Sequence, residues 1–319
     1  MTTNGVLALY CVLILLASLA GGLIPLFINL THRRMQLAIS FVAGLMLGIA
    51  VLHMLPHALM TIPAMSAARW LILGLLVMFF LERFFCFHHH DAPQQNPPVE
   101  GHADEETSSN HNHSHTCSHT HDDGHGQSHE HRLGWYGAAV GLTVHSVING
   151  VALAATMNSQ TLADAHAGGL GAWLPGLAVF LVIVLHKPFD SLTLGTLMAA
   201  GGRSVLSRHL VNGLFALAVP IGAVLFQLGL ATISIQHSTF VGATVAFSAG
   251  VFLVISLSDL LPELQFHHHD RVALSTALLL GVTLAWAISH FEAGTHQHDD
   301  HAEAPAAPAQ HNDHAGHGH

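Results

Sequence analysis

Long apolar runs separated by short polar connections dominate the chain. Eight of them, over residues 5–30, 36–60, 68–87, 135–158, 170–200, 208–230, 239–265 and 271–291, are each near or above the ~20 residues that carry a helix across hydrocarbon. The pattern predicts an all-α polytopic membrane protein with eight transmembrane helices. Polar sequence divides them. Residues 1–87 hold helices one to three, 88–133 a His-rich cytoplasmic loop, 134–291 helices four to eight, and 292–319 a His-rich tail. The first run follows "MTTNG", which has no basic region, and no clear cleavage site comes after it. It reads as a retained membrane helix, not a signal peptide.

Two of the runs have polar interiors. Trp135 to Met157 contains no Lys, Arg, Asp or Glu, yet holds His145, Ser146 and Asn149 at its middle. The next run carries "HKPFDS", with His186, Lys187 and Asp190. A polar group in hydrocarbon must find a partner, and an ionisable residue there marks function by default. His145 and Asn149 are four residues apart, as are His186 and Asp190, so each pair shares one helix face. Two such faces opposed supply two imidazoles, an amide oxygen and a carboxylate. That donor set suits Zn2+, Fe2+ or Mn2+ better than Cu(I) or Ca2+. Gly150 and Ser191, directly after the pairs, allow close helix approach. Pro188 interrupts the hydrogen-bond ladder beside Asp190.

Charge sets orientation. With the N-terminus outside, Arg33, Arg34, Arg83, Arg132, Arg203, Arg208 and Arg271 all fall on or beside cytoplasmic connections, against Arg69 alone outside. This positive-inside bias, with an even number of spans, puts both termini outside the cytoplasm, in an inner or plasma membrane. Charged residues make up only 9% of the chain and the net charge is −10, which excludes the basic footprint of a nucleic-acid binder. The three cysteines, Cys11, Cys86 and Cys117, form no CxxC or disulfide framework.

The 31 histidines form two populations. Most lie in His88 to His131 and His296 to His319, tracts without apolar periodicity that are expected to be disordered and to buffer or sense metal. Of the others, His53, His57, His145, His186, His209 and His290 lie inside the spans, and the rest lie in the short connections.

An internal repeat relates the second span to the seventh. "FVAGLMLGIAVLHMLPHAL" from Phe41 and "FSAGVFLVISLSDLLPELQ" from Phe247 register without a gap, matching Gly44 with Gly250 and Pro56 with Pro262. His53 and His57 fall on Asp259 and Glu263. The two spans run in opposite directions, and "HSVING" and "HKPFDS" lie on antiparallel neighbours, so the pattern predicts a 3+2+3 inverted repeat, a device of alternating-access transporters. Candidate ligands then run from face to face: His53 and His57 at an outer entry, the His145/Asn149/His186/Asp190 cluster at mid-membrane, and Asp259 and Glu263 at an inner exit.

At "HSVINGVALAA", "HKPFDS", "HMLPHAL" and "DLLPEL" the chain resembles the ZIP (Zrt-, Irt-like) divalent-metal transporters, over all eight spans and with the His-rich loop between spans three and four. The resemblance implies metal uptake toward the cytosol by movement of a core bundle against a scaffold, with transport ligands at His145, Asn149, His186 and Asp190. The cargo expected is Zn2+ first, then Fe2+, Mn2+, Co2+ or Cd2+, with no resident cofactor. Expected partners are metal ions and the lipid bilayer, with a homodimer left open. Some family members hold a second metal beside the first. The positions that would support it are Ser146, Lys187 and Val219 here, which are poor ligands, so a mononuclear site is expected, with the Lys187 ammonium standing in for the second cation.

Three other functions fit parts of the sequence. "HMLPH" is an HxxxH box of the kind used by membrane di-iron oxygenases, although here the intramembrane histidines are spread through the depth. A metal sensor would use the His tracts as its working parts. An efflux carrier is also open, because residues alone do not fix direction.

Overall fold

The computed structural model describes residues 2–27, 32–85, 130–163, 174–232, 237–266 and 271–293. The His-rich tracts, with Cys86 and Cys117, lie outside the described residues. Among those described there are only helices and turns, and eight helical segments are long and apolar enough to span a bilayer: Thr3–Leu23, Arg33–Thr61, Ala64–Phe84, Trp135–Thr161, Leu177–Ala200, Val205–Thr232, His237–Ser258 and Arg271–Phe291. They are numbered here as spans one to eight. The helix of span four runs from Glu130 to Ala163, longer at both ends than its apolar run, because backbone hydrogen bonding continues past the hydrophobic stretch. Span five begins at Leu177, after a turn at Leu174–Gly176.

Two spans are irregular, each next to a proline. Span two widens into a π-helical turn over Ala50–Met54, just ahead of Pro56. Proline has no N–H to donate back along the ladder, and the wider turn absorbs the break. Span six is interrupted at Leu217, between helices Val205–Ala216 and Ala218–Thr232, three residues before Pro220.

Packing follows the small residues, which let helix backbones approach in an environment with no hydrophobic driving force between helices. A side chain on Gly150 (span four) would collide with the Val219 carbonyl of span six, and one on Gly222 (span six) with the Val147 carbonyl of span four. Gly21 of span one meets the Pro188 backbone of span five in the same way. Spans one, four, five and six thus pack together, and spans two, three, seven and eight form a second group. In the second group Gly44 and Gly281 join spans two and eight, while Gly74 and Gly250 join spans three and seven. The groups meet where span seven lies against span four and span two against span five. Large apolar side chains such as Leu206, Met60 and Val272 point outward, as lipid-facing residues do.

These contacts make a stability prediction. Gly150→Ala is expected to destabilise the folded protein by about 1–3 kcal/mol, the usual cost of overpacking. Gly195→Ala, whose new methyl would meet nothing within 4 Å, is expected to be neutral. Heat-induced unfolding of the two variants in detergent checks this; equal midpoints would contradict the packing described.

Candidate metal centre

The two polar faces read from the sequence do meet. Spans four and five place His145 Nε2 3.7 Å and His186 Nε2 3.8 Å from the same Asp190 oxygen, Oδ2. One ligand atom from each of the three residues fits within 4.8 Å of the others, and among the described residues no other group of three His, Cys, Asp or Glu does so. The imidazoles stand edge to face, with ring centroids 5.7 Å apart. Both histidines and Asn149 are buried, whereas Asp190 keeps 15% of its side chain exposed.

Hydrogen bonds fix the orientation of His186. A backbone carbonyl can only accept, so the 2.8 Å contact between His186 Nδ1 and the Val182 carbonyl places the ring proton on Nδ1. Nε2 then carries a lone pair facing the centre, the arrangement a metal-binding imidazole needs. Asn149 Nδ2 lies 3.1 Å from that nitrogen. His145 Nε2 and Asn149 Oδ1 are buried and have no hydrogen-bond partner among the described residues. Unpaired buried polar atoms are costly, and a cation at this point would meet both. The donor set is borderline to hard, two nitrogens with carboxylate and amide oxygens, as Zn2+ and its neighbours prefer.

Lys187 lies at the centre and does not reach toward water. Its side chain is fully buried, with Nζ 3.4 Å from Asp190 Oδ2 and donating to Ser146 Oγ. The same ammonium sits 3.8 Å from the centroid of the Phe215 ring of span six, within cation–π range. Ser146 Oγ in turn donates to the Leu142 carbonyl at 2.6 Å. Gly150 packs on span six as its size suggested, while Ser191 hydrogen-bonds Ser18 of span one at 2.8 Å. The Pro188 backbone packs against Gly21 of span one.

The entry candidates sit elsewhere, on the π-helical turn and the helix after it. His53 is buried, its ring centroid 4.6 Å from that of His57, and His57 Nδ1 meets the His53 carbonyl at 2.8 Å. Asp259 and Glu263 lie on the helix His237–Phe266, but their side chains fall outside the described residues. Four participants were not anticipated from the sequence: Phe215, Ser18, Gln160, which lies 3.4 Å from His53 Nε2, and Glu82, which accepts from Ser258 at 2.5 Å. Each is brought in by a contact between distant spans, and single-helix spacing carries no signal for it.

A family model described as ZIP zinc transporter matches residues 5–289. The chain belongs to that family. Zinc transporter ZIP9-A of Xenopus laevis is 27% identical over 293 residues, covering 81% of this chain and 86% of its own. Zinc transporter 3 of Arabidopsis thaliana is 26% identical over 301 residues, covering 85% and 80%, so both likenesses extend well beyond the polar motifs. Zinc transporter ZIP9 of Micropogonias undulatus is 35% identical over 140 residues, 42% of this chain and 41% of its own. ZIP members are transporters, so the di-iron oxygenase reading of "HMLPH" is set aside. Divalent-metal transport by an integral membrane protein stands.

Proposed function

We propose that this ZIP chain carries zinc toward the cytosol through one metal site formed by His145, Asn149, His186 and Asp190. The observation that carries this reading is the convergence of three ligand atoms from two spans, with Asn149 Oδ1 buried and unpartnered beside them. Zinc is favoured by the zinc transporters among the relatives; the donor set itself suits Zn2+, Fe2+, Mn2+, Co2+ and Cd2+. Lys187 replaces a second cation, which its complete burial and its place between Asp190 and Ser146 support.

The mechanism follows from the two helix groups. All four ligands belong to the group of spans one, four, five and six, so moving that group against spans two, three, seven and eight would carry the site between faces. The packing supports an inverted 3+2+3 repeat. Gly44, matched to Gly250 in the sequence, contacts Leu278 of span eight, and Gly250 contacts Leu71 of span three. Phe41, matched to Phe247, lies against Gly281, as Phe247 lies against Gly74. Spans four and five obey the same rule, since Val147 meets Gly222 where Pro188 meets Gly21. His53 and His57 serve as the outer entry and Asp259 and Glu263 as the inner exit, in a membrane with both termini outside. The His tracts buffer or sense metal without forming the path.

Cells expressing the chain without Asp91 to His129 test this division of labour. Zinc entry is expected to continue at normal protein abundance, with weaker cytosolic buffering. Loss of entry on that deletion would put the loop in the pathway, and unchanged cellular zinc with the full chain would refute the transport reading.

A further inference from the structure

Gln160 joins three spans at a buried point outside the metal centre. Its side chain is 2% exposed. Its Oε1 accepts from the backbone N–H of Gly176, the residue that precedes the span-five helix. Gly176 has φ +75°, and a side chain there would strike Met157, so both its backbone shape and its surroundings require glycine. The Gly176 bond fixes the amide: an N–H needs an acceptor, so oxygen faces Gly176 and nitrogen faces span two. That nitrogen lies 3.4 Å from His53 Nε2. An amide nitrogen only donates, so His53 Nε2 must accept, and its ring proton sits on Nδ1. Gln160 therefore occupies the lone pair that His53 would present to a metal. The bond also crosses between the helix groups, since Gln160 belongs to the group that carries the centre and His53 to the other.

We propose that Gln160 gates the entry pair: its amide holds His53 Nε2 until an incoming metal displaces it, and that displacement releases a bond between the two groups. The proposal rests on the reading of His53 and His57 as the entry. Loading the first histidine then removes one of the contacts between the two groups. Gln160 is a positioning residue, acting on the metal only through His53.

The test is Zn2+ uptake into vesicles bearing the purified full chain, measured against zinc concentration. Gln160→Met removes the competing donor and is expected to lower the half-saturating zinc concentration by about two- to tenfold, the factor of one neutral hydrogen bond. Gln160→Leu, of similar volume and able neither to donate to His53 nor to bind the metal itself, gives a lowering of the same size even where Gln160→Met folds poorly. In a His53→Ala background, which by itself raises half-saturation, neither change is expected to lower it. A purely structural role through Gly176 would give the same shift in both backgrounds and would overturn the gate, as would no shift at all. If His53→Ala alone leaves half-saturation unchanged, the entry reading fails first and the gate with it.

Discussion

His186→Ala and Asp190→Ala are each expected to reduce zinc transport on the order of 100-fold or more at equal membrane abundance. Changes one shell out from a metal already cost about 10–100-fold, and these remove ligands. Asp190 has the larger role, because its Oδ2 is the common point of His145, His186 and Lys187. Its loss leaves the buried Lys187 ammonium without its carboxylate, so Asp190→Asn is the companion variant that keeps side-chain volume. Uptake by cells, normalised to the chain in the membrane, is the measurement. Wild-type uptake in His186→Ala and Asp190→Asn would remove the site assignment.

Lys187 is expected to decide how many ions the centre holds. Lys187→Asp removes a buried cation and sets a second carboxylate beside Asp190. Two close carboxylates repel unless a cation lies between them, so the variant should either recruit a second metal or lose activity at low metal. Adding Ser146→Asn supplies an amide where Lys187 now finds a hydroxyl, and should favour the second ion further. The readout is bound zinc per purified chain with both His tracts deleted, rising from one ion toward two. Two tightly bound ions without any change at Lys187 would refute the single-ion reading. No change in stoichiometry or activity in the double variant would mean that Lys187 does not stand in for a metal.

The centre was legible because its ligands come in pairs four residues apart inside apolar runs, where a polar residue stands out. His145 with Asn149 and His186 with Asp190 needed only helix geometry and the rule that polar groups in hydrocarbon seek partners. The supports of the centre were not legible. Phe215 is one apolar residue in an apolar span, and only the packing of span six on span five shows that it faces Lys187 and not lipid. Gln160 lies beyond residue 158, where the apolar run gave out, although the helix continues to Ala163. The π-helical turn of span two left one trace, Pro56, which signals a disturbed ladder without saying how the chain absorbs it. The match of Phe41–Leu59 to Phe247–Gln265 related two spans in sequence without saying which spans pack on which. The partner of each glycine depended on helix faces that uniformly apolar spans do not mark.

Whether this chain itself moves zinc through the span-four and span-five site is tested in sealed vesicles that contain only the purified protein, with both His tracts removed, and a zinc indicator trapped inside. Saturable zinc entry that depends on the protein is expected, falling to the level of protein-free vesicles in Asp190→Asn. Entry no faster than in protein-free vesicles, from a chain shown to be folded and inserted, would contradict that expectation.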